Sequence, residues 1–171
     1  LKREGYPFDV AHTSVLTRAV HTLWDLQDAM DLAWVPVLTD WRLNERHYGA
    51  MTGMLKSQAV HTYGADQVHR WRRSYEAQPP PYHGGATMPV LVDRRYDGVP
   101  ATELPNSESL QQTDARVQGA WNESIAVALR AGRRVVITAH GNSLRALVKQ
   151  LEGISDAEIA QLEVPNAVPW V

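Results

Sequence analysis

The chain has no cysteine. That excludes disulfides, thiolate catalysis and Cys-ligated zinc together. Charge of either sign in excess is also missing. With 17 Lys+Arg against 19 Asp+Glu the formal net charge is −2, so no global field draws in nucleic acid and any basic site is local. No apolar run is long enough to span a bilayer, and no segment resembles a signal peptide. The expectation is a cytoplasmic protein with neither nucleic-acid nor membrane partners. What is present is ordinary globular material: 171 residues, 44% hydrophobic and 21% charged, enough for one domain spanning 1–171 with its own core.

Both ends read as cut. Leu1-Lys2-Arg3-Glu4-Gly5 resembles the last turn of a helix with its glycine stop, there is no initiator methionine, and Val168-Pro169-Trp170-Val171 resembles a strand cut short. Between them, Phe8 to His12 suits a strand, and Thr13 or Ser14 a helix cap. Apolar residues at helical spacing from Val15 to Met30 predict a helix. Trp34 to Val37 reads as a strand near an edge, because Pro36 has no N–H for a ladder. Residues 41–56 lack periodicity. Lys56 to Tyr75 reads as a helix interrupted by Gly64. Gln78 to Pro105 is a Pro- and Gly-rich surface excursion. Ser107 or Ser109 opens a helix running to about Arg130, stopped by Gly132. Arg134 to Ala139 is β-branched and apolar on both faces, the signature of a central parallel strand. A helix follows from Leu144 to Leu151, and Ser155 with Glu158 has the spacing of a capping box for a last short helix. Strands alternating with helices predict an α/β domain with a mainly parallel sheet.

The strongest local signal is the strand–His140-Gly141-Asn142–helix junction. Ligands of open α/β sheets bind beyond the carboxyl ends of the strands, and a helix N-terminus there suits an anion. Gly141 permits close backbone approach, Asn142 offers a donor, and a protonated His140 donates to a phosphoryl oxygen. A buried histidine before an ordinary capped helix is the other reading. Arg18, early in the first helix, faces the same edge or is a solvated surface residue. Glu45 among Arg42, Arg46 and His47 is a general acid/base with a tuned pKa or part of a surface charge network. Arg72 and Arg73, with Lys56 upstream, suit carboxylate and phosphate recognition or form the polar face of a helix. No histidine pair has metal-ligand spacing; no metal is implied.

Four stretches together carry a family resemblance: Thr13-Ser14-Val15-Leu16-Thr17-Arg18-Ala19, Trp41-Arg42-Leu43-Asn44-Glu45-Arg46-His47-Tyr48-Gly49, Trp71-Arg72-Arg73-Ser74-Tyr75 and Ala139-His140-Gly141-Asn142-Ser143-Leu144-Arg145-Ala146-Leu147. The chain resembles the cofactor-dependent (2,3-bisphosphoglycerate-dependent) phosphoglycerate mutases of the histidine phosphatase superfamily, nearly end to end. The resemblance implies a three-layer α/β/α domain and a glycolytic isomerase that interconverts 3-phosphoglycerate and 2-phosphoglycerate through a phosphohistidine, with 2,3-bisphosphoglycerate as phosphoryl primer and no metal. Glu45 then matches the proton donor/acceptor for the substrate hydroxyl, and His140 the second histidine that stabilises the transferring phosphoryl group. Arg18 matches the phosphate-pocket arginine. Tyr48, Lys56, Arg72 and Arg73 match the groups holding the substrate's carboxylate and other phosphate; Arg46 and His47 belong with them. Gly141 and Asn142 match the backbone and side-chain phosphate contacts. Relatives are often dimers or tetramers, so a homo-oligomer is expected.

Departures sharpen the expectation. The family's nucleophile lies in an Arg-His-Gly motif at the end of a first strand, and this sequence contains none. The reading is therefore a phosphoglycerate mutase-like domain missing its first strand and truncated at both ends, inactive by itself and prone to associate through exposed edges. Leu55, Ala167 and the divergent 82–91 segment depart in substrate contacts. A bisphosphoglycerate synthase or phosphatase on the same scaffold, and a non-catalytic phosphate-binding remnant, are the alternatives.

Overall fold

Three short β-branched stretches pair in the computed structural model, which describes residues 1–83 and 93–171. They are β1 (Val10–Thr13), β2 (Val37–Thr39) and β3 (Val135–Thr138). They form a parallel sheet in the order β2-β1-β3, with His12 opposite both Leu38 and Ile137. β1 is the central strand and is buried throughout. β3, expected in the centre, pairs only with β1 among the described residues, and its own residues are half-buried. Its apolar residues serve both faces. Val136 packs with Phe8, Ala11 and Leu23, while Ile137 packs on the opposite face with Leu110, Val117, Ala146 and Leu147. β2 starts later than expected. Pro36 contributes only its carbonyl, which accepts from the Ala11 N–H at 3.0 Å, so the ladder begins at Val37.

Helix α1 (Thr17–Met30) covers one face through buried Ala19 and Leu23 and ends at Asp31 in the left-handed region. Neither expected cap is used. Leu16 takes the N-cap position, and the Ser14 Oγ instead accepts from the Leu16 N–H at 3.1 Å. The expected helix over 56–75 is two helices, α2 (Lys56–Tyr63) and α3 (Ala65–Arg73), broken at Gly64 with φ +83°.

The opposite face is covered by α4 (Leu110–Ala120), a π turn (Trp121–Ile125), α5 (Ala126–Arg130) and α6 (Gly141–Glu152). Ser109 caps α4 in a reciprocal box with Gln112, at 3.2 and 2.7 Å, an arrangement that contributes about 1 kcal/mol. The helix expected to run to about Arg130 carries the π turn; Ala120 and Ile125, five apart, share one buried cluster with Leu43, the spacing a wider turn aligns. The Ser155–Glu158 box forms but leads only to one 3₁₀ turn, Glu158–Gln161. Residues 168–171 form no strand. Pro169 lacks a donor, Ala167 turns the chain at φ +58°, and the segment is exposed. The result is the expected three-layer α/β/α arrangement. Full burial of Leu23, Leu110 and Val117 contributes roughly 1.5–3 kcal/mol each. Most of the divergent 82–91 segment lies outside the described residues. No helix among those described is long and apolar enough to cross a membrane.

Candidate active site

Parallel strands put all their carboxyl ends on one edge, and the functional side chains gather there. β1 runs into Ser14 and α1, and β3 into His140 and α6. His140 is the extended N-cap of α6 and is 6% exposed. The Arg18 Nε donates to its Nδ1 at 3.1 Å. A nitrogen that accepts carries no proton, so the neutral ring holds its proton on Nε2, 2.7 Å from the Ser14 Oγ. Burial first, then the Arg18 charge, push the His140 pKa down to about 4, against a smaller opposing pull from Glu45. The ring is neutral at pH 7, and negative charge arriving beside it would favour the proton. Arg18 lies in the first turn of α1, which contains no acidic residue. A cation there opposes the helix dipole, at roughly 0.3–1 kcal/mol. Its position reflects His140, not helix stability.

Glu45 is held at the start of α6. Its Oε1 accepts from the Arg46 N–H at 2.8 Å, the Asn142 N–H at 3.2 Å and the Asn142 Nδ2 at 2.8 Å. Oε2 takes no hydrogen bond from the described residues and remains free for a proton. The Asn142 Nδ2 also donates to the Tyr48 hydroxyl at 3.0 Å. The helix terminus read as an anion seat is thus occupied in part by Glu45. Gly141 lies alongside, where an added Cβ would sit 3.9 Å from Glu45 Oε2.

The arginines around Tyr48 are poorly neutralised. Arg46 is only 2% exposed. Its Nη2 donates to the Arg72 carbonyl at 3.1 Å, while Nε and Nη1 find no partner among the described residues. Arg46 and Arg72 both lie over the Tyr48 ring, at 4.8 and 5.4 Å. Arg145, also buried, has an unmet Nε, and burial followed by the Arg46 and Arg73 charges lowers its pKa. Unmet buried cations are costly, and an oxyanion would relieve that cost. Arg73 pairs with Glu163 at 2.5 Å.

A cavity of about 450 Å³ is walled by Arg18, Glu45, Arg46, His47, Tyr48, Lys56 and Arg72, with apolar Leu16, Met51 and Leu104. Nine of the eleven expected site residues therefore connect directly or by one hydrogen bond to one space: these seven, Asn142 through Glu45 and His140 through Arg18. Gly141 only flanks Glu45, and Arg73 is turned to Glu163. His47 also shapes the loop, since its Nδ1 accepts from the Gly49 N–H at 3.1 Å; burial lowers its pKa. No group of three His, Asp or Glu among the described residues would hold a metal ion. Sequence reasoning missed Ser14 as a partner of His140, the unmet Arg145, and the ion pair of Arg116 with Glu108, 2.6 Å apart with side chains 9% and 3% exposed. The Ser107-Glu108-Ser109 string before α4 offered only a capping signal.

Residues 2–99 and 86–168 match the histidine phosphatase superfamily (branch 1). The chain belongs to that superfamily. Among solved structures, it resembles the mycobacterial glucosyl-3-phosphoglycerate phosphatase in its native form, at 24% identity and TM-score 0.64, over 90% of this chain and 62% of that one. The same mycobacterial enzyme complexed with VO3 aligns at 26% identity and TM-score 0.62, over 90% and 63%. Phosphoglycerate mutase from Bacillus anthracis str. Sterne shares 14% identity at TM-score 0.59, over 90% and 63%. This superfamily member thus spans less than two thirds of those chains' length. The family makes it a relative of phosphatases and mutases that share its α/β fold.

Proposed function

We propose that this histidine phosphatase superfamily member handles phosphoglycerate-type phosphomonoesters. In the whole protein the leading reading is interconversion of 3-phosphoglycerate and 2-phosphoglycerate through a phosphohistidine. The observation that carries it is the pairing of a free Glu45 Oε2 with buried, unmet Arg46 N–H groups across one cavity. Phosphoryl transfer asks for positioned positive charge more than covalent machinery. Arg18, Lys56, Arg46 and Arg72 hold the substrate's phosphate and carboxylate. Tyr48, pinned by Asn142, orients them. Glu45 Oε2 exchanges a proton with the substrate hydroxyl. Beside a phosphoryl dianion His140 takes its second proton at Nδ1, the nitrogen that faces Arg18, while Nε2 stays on Ser14. The unmet N–H groups of Arg46 suit 2,3-bisphosphoglycerate at the same residues; when bound, that compound supplies the phosphoryl group that loads the enzyme.

The chain contains no Arg-His-Gly, so we propose that these 171 residues alone bind phosphate esters without turning them over. A second reading, hydrolysis in place of isomerisation, is favoured by the 26% identity to the mycobacterial glucosyl-3-phosphoglycerate phosphatase. We further propose that it is cytoplasmic, and that it self-associates on the strength of exposed Trp34 (75%) and Trp24 (55%) and of Leu38 on the outer strand β2. Calorimetric titration with 3-phosphoglycerate tests the binding. Saturable binding that weakens at least roughly tenfold in Arg46→Met supports it, and no saturation at millimolar ligand refutes it. In the whole protein, phosphate release without isomerisation selects the hydrolase.

A further inference from the structure

We infer that Arg116, paired with Glu108, is a positioning residue that holds the Glu45–Tyr48 loop in its working shape. The inference rests on the reading that Glu45 and Tyr48 serve phosphate-ester chemistry. Residues 44–48 form no helix or strand, so their backbone groups need partners from elsewhere. Arg116 reaches them from α4. Its Nη1 donates to the Arg42 carbonyl at 2.5 Å and the Asn44 carbonyl at 3.0 Å, and its Nη2 to the Glu45 carbonyl at 3.2 Å. The remaining N–H groups meet Glu108, Nε at 2.6 Å and Nη2 at 2.9 Å. All five donors of the guanidinium are therefore used, in contrast to Arg46.

Glu108 completes the grip. Its Oε2 also accepts from the His47 N–H at 2.8 Å, and the Glu108 N–H donates to the His47 carbonyl at 2.8 Å. One ion pair thus fixes the backbone on both sides of Glu45 and Arg46. The pairing neutralises Arg116, so it lines the cavity without competing for the anion that Arg46 and Arg18 await. Lysine has neither the planar fork nor five donors, so it does not replace Arg116.

Residue-resolved hydrogen–deuterium exchange and titration with 3-phosphoglycerate, both on the whole chain, test this. Arg116→Lys is expected to accelerate exchange at the 45–48 amides at least tenfold while β1 and α6 keep wild-type rates, and to weaken 3-phosphoglycerate binding roughly tenfold. Glu108→Gln, nearly isosteric, gives a smaller loss confined to the same residues and decides the matter if Arg116→Lys does not fold. In Arg116→Ala, added methylguanidinium restores affinity to within a few-fold, which a general packing defect would not allow. Wild-type exchange at 45–48 in the variants, acceleration spread evenly over β1 and α6, or absence of rescue overturns the inference. A wild-type chain that fails to bind 3-phosphoglycerate overturns the proposed function instead, and the exchange result still decides whether Arg116 holds the loop.

Discussion

Replacing Arg18 with methionine tests the electrostatics of His140 most sharply. Burial is the larger cause of its depressed pKa and the Arg18 charge the next. The fall from 6.5 to about 4 corresponds to roughly 3 kcal/mol against the imidazolium, at about 1.4 kcal/mol per pH unit. Removing Arg18 removes the Coulomb part and frees Nδ1, but leaves the burial. The variant's pKa should therefore rise yet stay below 6.5. Because the folded pKa lies below the unfolded one, the unfolded chain takes the proton first as pH falls. His140 thus lowers stability progressively between pH 6.5 and about 4, by roughly 3 kcal/mol in all, and by less in Arg18→Met. The assay is an NMR titration of the seven histidines, with His140 assigned by its absence in His140→Gln. A wild-type His140 titrating at 6.5 or above would contradict a pKa lowered by burial and Arg18, and an Arg18→Met pKa equal to or below the wild-type value would rule out the Arg18 contribution. Bound phosphate should move the same resonance upward.

Gly49 has φ +56°, and a Cβ there would lie 2.0 Å from the Pro80 carbonyl oxygen. Gly49→Ala is expected to cost roughly 3 kcal/mol or more, read from urea unfolding; an unchanged midpoint would show that the Pro80 contact yields freely. His12, 2% exposed on the central strand, has an Nε2 with no partner among the described residues and a pKa lowered by burial. His12→Phe should stabilise the fold by about 1 kcal/mol, more at acid pH, and a destabilised variant would mean that His12 has a partner after all. Incubated with 2,3-bisphosphoglycerate, the 171-residue chain is expected to show no acid-labile phosphohistidine, because His140 is tied to Arg18 and Ser14 and His12 is buried. Stoichiometric labelling would identify a nucleophile among the histidines present.

The junction at His140 was legible because a β-branched run followed by His-Gly-Asn marks both a strand end and a helix start. Glu45 stood out because charged side chains crowd a stretch with no periodicity. What escaped depended on long-range neighbours. Composition reports that β3 is apolar on two faces, but not whether a strand lies on each of its edges. Arg46 is expected in the site, but no local window shows that the folded chain buries it beside Tyr48 and Arg72 with N–H groups unmet among the described residues. Arg116 and Glu108 look like the polar residues of a capped helix. Their partners are carbonyls and an amide more than sixty residues away, and no local pattern encodes that distance. Ser14 reads as a helix cap because Ser commonly caps; the folded chain turns it to His140 because the ends of β1 and β3 lie side by side.

Arg18, Glu45–Tyr48, Arg72 and His140–Asn142 are proposed to form one phosphate-ester site. Titrating inorganic phosphate into isotopically labelled protein, and following every backbone amide, tests it directly. Saturable shifts are expected to concentrate at Arg18, residues 45–48, Arg72 and residues 140–142, with β2 and α5 unmoved. Shifts that never saturate, or that saturate elsewhere on the chain, would contradict it.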